Sequence, residues 1–175
     1  FTWEFPMDLN RIAKHLWVGG PDVRKLFPAD ALERITKAIA ASEAGHRGEI
    51  RFAVEGSLDI APLVKGVTAR ERAIQVFSEL RVWDTEENNG VLIYLLIADH
   101  DVEILADRGV HAKVGAEGWE AICKKMETEF RQGRFEAGVV QGIEAVGRHL
   151  SGHFPRRGSD ANELPDAPVI RKPYD

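Results

Sequence analysis

Only one cysteine, Cys123, occurs in 175 residues. Its isolation excludes an intramolecular disulfide and any thiolate zinc cage, since both need two or more sulfurs. A lone thiol is compatible with a reducing compartment, and a cytoplasmic location is expected. No stretch reaches the roughly 20 apolar residues that a membrane-spanning helix requires, so no membrane span is expected. The beginning, FTWEFPMDLN, has neither the basic start nor the apolar core of a secretion signal; Met7 is a candidate natural start, and residues 1–6 are set aside from the functional reading. Positive charge is also short: 23 Lys and Arg against 28 Asp and Glu leave a formal net charge of −5. Nucleic acid therefore has no general electrostatic reason to bind. The chain lacks a G-x-S-x-G elbow, a Walker loop and a G-x-G-x-x-G turn after a strand, which removes most support for the mechanisms those motifs serve.

The remainder is ordinary globular composition, 44% hydrophobic and 29% charged, in a length that suits one domain with tails. Leu9, Ile12, Ala13, Leu16 and Trp17 recur at helical spacing, so residues 8–18 read as a short amphipathic helix stopped by Gly19, Gly20 and Pro21. Its apolar stripe is expected to dock on the domain itself, with a partner as the alternative. A second helix runs from Pro28 to Ala44. EIRFAVEG then alternates with period 2, the pattern of a strand, and SLDIAPLVKGV reads as a connection. Thr68 and Glu71 make a T-x-x-E capping box that opens a helix to about Leu80.

Strands at about 91–98 and 102–106 enclose a tight turn at Asp99, His100 and Asp101, which forces antiparallel pairing. Two helices follow, about 116–131 and 134–150. The order α, α, β, α, β, β, α, α, with VLIYLLIA apolar at every position, requires cover on both sheet faces. The expected fold is a three-layer α/β/α sandwich around a small mixed sheet containing a β-hairpin. Residues 1–27 form an N-terminal segment, 28–155 the α/β domain, and 156–175, rich in Pro, Asp and Arg, an extended or disordered tail.

Antiparallel pairing brings the start of one strand beside the end of the next. Asp84, Thr85, Asn88 and Asn89 are therefore expected to approach Asp107 and Arg108. These are hard oxygen donors suited to Ca²⁺ or Mg²⁺, although the spacing is not that of an EF-hand. The alternative is structural: Asn89-Gly90 turns the chain, Asp84 and Thr85 brace the loop, and Asp107 pairs with Arg108 or Arg81. At the hairpin's other end, Asp99, His100 and Asp101, with Glu55, read as an exposed turn. Cys123 reads as a buried structural thiol, and His149 and His153 as a helix terminus.

The segments GEIRFAVEGSL, ARERAIQVFSELRVWDTEENNGVLIYLLIADHDVEILADRGV and FRQGRFEAGVVQGIEAVGRHLSGHFP, in this order over roughly 28–155, resemble the TPM domain family, the thylakoid acid phosphatase-like domain. The family's NNGVL strand entry falls on Asn88 to Leu92 and its F-R-x-G-x-F-x-x-G segment on Phe130 to Gly138. An acidic segment that many members carry before the first long helix is reduced to Asp30, within FPADALERI. The resemblance implies an α/β/α sandwich, divalent-cation binding in some members and weak phosphatase activity in a few. The chain is most similar to a short cytoplasmic bacterial branch.

Two functions follow as expectations. One is a cation-binding accessory or interaction module, with Asp84, Asn88, Asn89 and Asp107 as the metal ligands and a protein partner. The other is a metal-assisted phosphomonoester hydrolase, in which Arg108 would bind the phosphate. No catalytic base or nucleophile is assigned for it.

Overall fold

The computed structural model describes residues 8–17 and 20–172; the leading residues, and Gly19 of the expected helix stop, lie outside it. The elements are α1 (Leu9–Trp17), α2 (Gly20–Leu26), α3 (Ala29–Glu43), β1 (Glu49–Glu55), α4 (Ile60–Val64), α5 (Ala69–Glu79), β2 (Gly90–Leu96), β3 (Asp101–Ala106), α6 (Arg108–Arg131), α7 (Phe135–His153) and β4 (Val169–Arg171). The sheet runs in the order β3-β2-β1-β4. β1 is parallel to both β2 and β4, whereas β2 and β3 form the antiparallel hairpin.

Because β2 is apolar throughout, its side chains feed two cores. Val91, Ile93 and Leu95 join Ile50, Phe52 and Val54 of β1 against Ile35, Ile39, Met126, Ile143 and Val146 of the long helices. Leu92, Tyr94 and Leu96 face the other way, onto Leu63, Ala69, Ala73 and Val76 of α4 and α5. Helices thus cover both faces, and the α/β/α sandwich follows. Each fully buried Val, Leu or Ile contributes roughly 1.5–3 kcal/mol. α5 opens on the complete capping box, with Thr68 accepting from the Glu71 N–H and Glu71 accepting from the Thr68 N–H.

The alternate polar residues of β1 do not face water. Glu49, Arg51 and Glu55 are all buried, and each has a partner from elsewhere in the chain. Glu49 accepts the N–H groups of Glu163 and Leu164 at 3.2 and 3.1 Å, and the Arg51 guanidinium donates to the Pro165 carbonyl. Those contacts lay the C-terminal segment against the sheet, and its last described residues add β4 beside β1. The segment after Phe154 therefore carries a strand that its Pro- and Asp-rich composition does not announce.

α1 corrects one expectation. Its apolar stripe does not dock on the domain as a unit: Leu9, Leu16 and Trp17 are exposed, and Ile12 alone of the stripe packs against the core. The helix is fastened instead through polar groups. Arg11 and the buried His15 both bind Asp99, with His15 Nε2 at 2.8 Å from Asp99 Oδ1. The helix expected at about 116–131 is the second piece of α6: Gly115, at φ 76°, breaks the element in two, and the piece that starts at Arg108 is an addition to the expected order. Among the described residues no helix is long and apolar enough to cross a membrane.

Candidate functional site

The α5–β2 loop, residues 81–89, turns with two non-glycine residues at positive φ, Arg81 at 54° and Asn88 at 51°. Asn tolerates this conformation better than most residues, because its short polar side chain bonds locally. Asn89 is buried. Its N–H donates to Thr85 Oγ1 at 3.1 Å, and its Nδ2 donates to the Arg47 carbonyl at 2.7 Å. The amide orientation is fixed by that second bond, so Oδ1 is left as a buried oxygen without a donor among the described residues.

Across the hairpin, the Asp107 N–H donates to the Gly90 carbonyl at 2.8 Å. Asp107 is the N-cap of α6, where a carboxylate complements the positive end of the helix. Its Oδ1 accepts the Arg108 N–H at 2.7 Å. Its Oδ2, also buried, has no donor among the described residues. The first turn of α6 then sits directly on the loop: a Cβ at Gly109 would lie 2.6 Å from the Asn88 carbonyl oxygen and 3.0 Å from that of Glu87. Only glycine permits that approach.

The structure thus brings Asn88, Asn89 and Asp107 to the same end of the β2–β3 hairpin. Asp84, at the start of the loop, is exposed and paired with Arg81 at 2.8 Å. Arg108 is exposed on the first turn of α6. Asp30 lies on α3, paired with Arg34 at 3.0 Å. Among the described residues no group of three or more His, Cys, Asp or Glu side chains is gathered for a metal ion. A cation at this edge would rest on one carboxylate and neutral oxygens, a donor set of the kind that hard ions accept.

The opposite end of the sheet holds two clusters that sequence patterning does not reveal. Asp99 is more than a turn residue. Burial alone would raise its pKa, yet the bonds from His15 and Arg11 hold its carboxyl well below the usual range. The Leu58 N–H donates to His15 Nδ1 at 2.8 Å, so the ring proton is on Nε2 and points to Asp99. Glu55, 1% exposed, accepts from Arg72 Nε at 2.9 Å and from the Tyr94 hydroxyl at 2.7 Å. Elsewhere, burial pushes Glu43 up to about 9 and Cys123 up to about 12; Cys123 is half-buried, not fully buried as its helical position suggested, and a raised pKa disfavours its thiolate.

Comparison with known proteins sets this geometry in a family. No curated protein matches the chain. Among solved structures, the NMR structure of the BA42 protein from the psychrophilic bacterium Bizionia argentinensis is 32% identical, covers 83% of this chain and 95% of its own, and superposes with a TM-score of 0.73. The N-terminal domain of a P. gingivalis protein (18% identity, 75% of this chain and 83% of that one, TM-score 0.58) and one from Corynebacterium glutamicum (13%, 76% and 78%, TM-score 0.53) share the fold. The TPM domain description matches residues 21–149, and with that span covered the chain belongs to the TPM domain family.

Proposed function

We propose that this TPM domain is a divalent-cation-binding interaction module, with Ca²⁺ or Mg²⁺ held between the 84–89 loop and the first turn of α6. The observation that supports this reading is the pair of buried, donor-free oxygens, Asn89 Oδ1 and Asp107 Oδ2. A buried polar atom left unsatisfied costs roughly 1–3 kcal/mol, and a hard cation bound by either oxygen would recover that cost there. Asp107 supplies the charge, and Asn88 belongs to the same loop. Asp84 is held only by an exposed ion pair, of the kind that contributes little, so it is free to exchange Arg81 for a cation. One or two carboxylates among neutral oxygens belong to the weak end of Ca²⁺ affinity, about 10⁻⁴–10⁻³ M.

The alternative is a metal-assisted phosphomonoester hydrolase. There the cation would lower the pKa of a bound water, and Arg108 would hold the phosphate. It ranks second because, among the described residues, no histidine or further carboxylate side chain is hydrogen-bonded to the side chains of Asn89 and Asp107; His111 and Glu49 meet them only through their backbone N–H groups.

The two readings separate in one pair of experiments. Titration of the ¹⁵N-labelled protein with CaCl₂ and with MgCl₂ should move amide signals at residues 84–90 and 107–110. The response should be lost in Asp107→Asn, which keeps a good N-cap. Absence of any shift there removes the cation reading. Hydrolysis of p-nitrophenyl phosphate should stay at background; turnover that needs the cation and disappears in both Asp84→Ala and Asp107→Ala would favour the hydrolase.

A further inference from the structure

β3 is an edge strand. Its pairing with β2 fixes which backbone groups point outward. The Asp107 N–H bonds to the Gly90 carbonyl, so with the observed register Asp101, Glu103 and Leu105 bond inward while Val102, Ile104 and Ala106 turn their N–H and C=O groups away from the sheet. Among the described residues, those of Val102 and Ala106 find no partner. Ile104 has only loose ones: its N–H faces the Cys123 thiol, and its carbonyl accepts from Arg70 at 3.3 Å. Val102 and Ile104 are 3% and 2% exposed, so these groups lie at the bottom of a cleft and not on an open surface; unpaired strand edges are templates for another strand.

The edge is the floor of a groove of about 400 Å³, walled by Arg70 of α5 on one side and by Trp119, Glu120 and Cys123 of α6 on the other. Trp119 is 4% exposed, and its indole N–H has no acceptor among the described residues. Four carboxylates line the groove, together with Arg70, Lys124 and His111. Asp101 and Glu103 belong to the strand, Glu120 and Glu127 to the helix. Glu103 is matched by Arg70 at 2.9 Å and Glu127 by Arg131 at 3.5 Å, but among the described residues Asp101 has no ion pair. Burial first, and then the nearby Glu103, Glu127 and Asp99, pushes Asp101 up to about 6, with Arg11 opposing. At Glu127 the groove adjoins an apolar pocket of about 430 Å³ lined by Leu95, Ile97, Phe130 and Phe135.

We propose that the groove between α5 and α6 receives an extended basic segment of a partner protein, which adds to β3 as a fifth strand and seats a bulky apolar side chain in the neighbouring pocket. The six residues of β3 offer a track of about 20 Å. Backbone groups of Val102, Ile104 and Ala106 supply the ladder, the Trp119 indole N–H takes a partner carbonyl, and the carboxylates on the walls meet alternate Lys or Arg side chains. This is strand addition with pockets setting specificity. A second copy of this chain fits less well, because edge-to-edge pairing would set Asp101 and Glu103 of one β3 against those of the other, and like charges directly opposite are destabilising. The groove uses none of the cation ligands, so it is testable without any cation.

The test is an NMR titration of the ¹⁵N-labelled full chain with the hexapeptide Lys-Val-Lys-Val-Lys-Leu, with Glu-Val-Glu-Val-Glu-Leu and with the basic peptide N-methylated at alternate residues. The basic peptide should shift the amides of Val102, Ile104 and Ala106 and move the Trp119 indole N–H downfield, while the other two should not. Glu120→Lys combined with Glu127→Lys, both on the outer wall, should bind about tenfold more weakly with an unchanged thermal melt. Equal response to the acidic peptide, shifts that map elsewhere, or none at millimolar peptide would overturn the proposal. So would edge shifts that track protein concentration without peptide, which would assign the edge to a second copy.

Discussion

Replacing Asp99 by Ala tests the reading that α1 is fastened by polar groups and not by its apolar stripe. The substitution removes the acceptor for Arg11 Nε at 3.0 Å, Arg11 Nη2 at 2.8 Å and His15 Nε2 at 2.8 Å. Hydrogen bonds to charged groups contribute about 1.5–3 kcal/mol each, but not additively. The Arg11 side chain is 20% exposed and regains water, so its share shrinks. The His15 side chain is 0% exposed and cannot. The net loss is roughly 2–3 kcal/mol, and it falls on α1 because only Ile12 of the stripe packs on the core. Hydrogen exchange at the Leu58 amide, which donates to His15 Nδ1, reads this release directly. Its rate should rise about 30- to 150-fold, at 1.4 kcal/mol per factor of ten, with the urea midpoint of the sheet little changed. Asp99→Asn keeps an acceptor for His15 and should fall between. The folded carboxyl is held far below its ordinary value. Its contribution is therefore complete above the unfolded value of about 3.9 and lost progressively as pH falls below it. Unaltered Leu58 exchange in Asp99→Ala would refute the polar fastening.

Three other outcomes are expected. Glu55→Ala leaves Arg72 and the Tyr94 hydroxyl without their buried acceptor and should cost about 3–5 kcal/mol in urea unfolding, with Glu55→Gln milder. Asp101 is pushed up to about 6, so the folded state holds its proton longer than the unfolded chain. Stability should decline as pH rises from about 4 to about 6, and Asp101→Asn should flatten that decline by about 1 kcal/mol after allowance for solvent screening. Gly90→Ala places a Cβ into the Val82 carbonyl at the entry to the central hairpin; a melting temperature equal to the wild type would contradict that close approach.

What was legible in the sequence was local. Thr68 and Glu71 cap α5 with groups three residues apart, and the unbroken apolar run of β2 demanded helices on both faces. The partners that decided the rest are distant in sequence. Asp99 meets residues more than eighty positions earlier, so α1 read as an apolar stripe when its anchors were Arg11 and His15. β1 showed the alternation of a half-exposed strand, yet Glu49 and Arg51 receive the C-terminal segment. β4, only three residues long, owes its strand character to the free edge of β1 and not to its own pattern. At the candidate site, hairpin pairing gave the neighbourhood of Asn89 and Asp107. Which oxygens are left without donors depends on the Arg47 carbonyl and on the first turn of α6, and neither is visible along the chain.

The central claim, that the loop and α6 hold a divalent cation, is tested most directly by equilibrium urea unfolding with and without CaCl₂ at constant ionic strength. For a site of about 1 mM, Ca²⁺ at ten times that concentration should add about 1.4 kcal/mol to the wild type. Nothing should be gained by Asp107→Asn. Equal stability of the wild type in both solutions, or an equal gain in the variant, would contradict it.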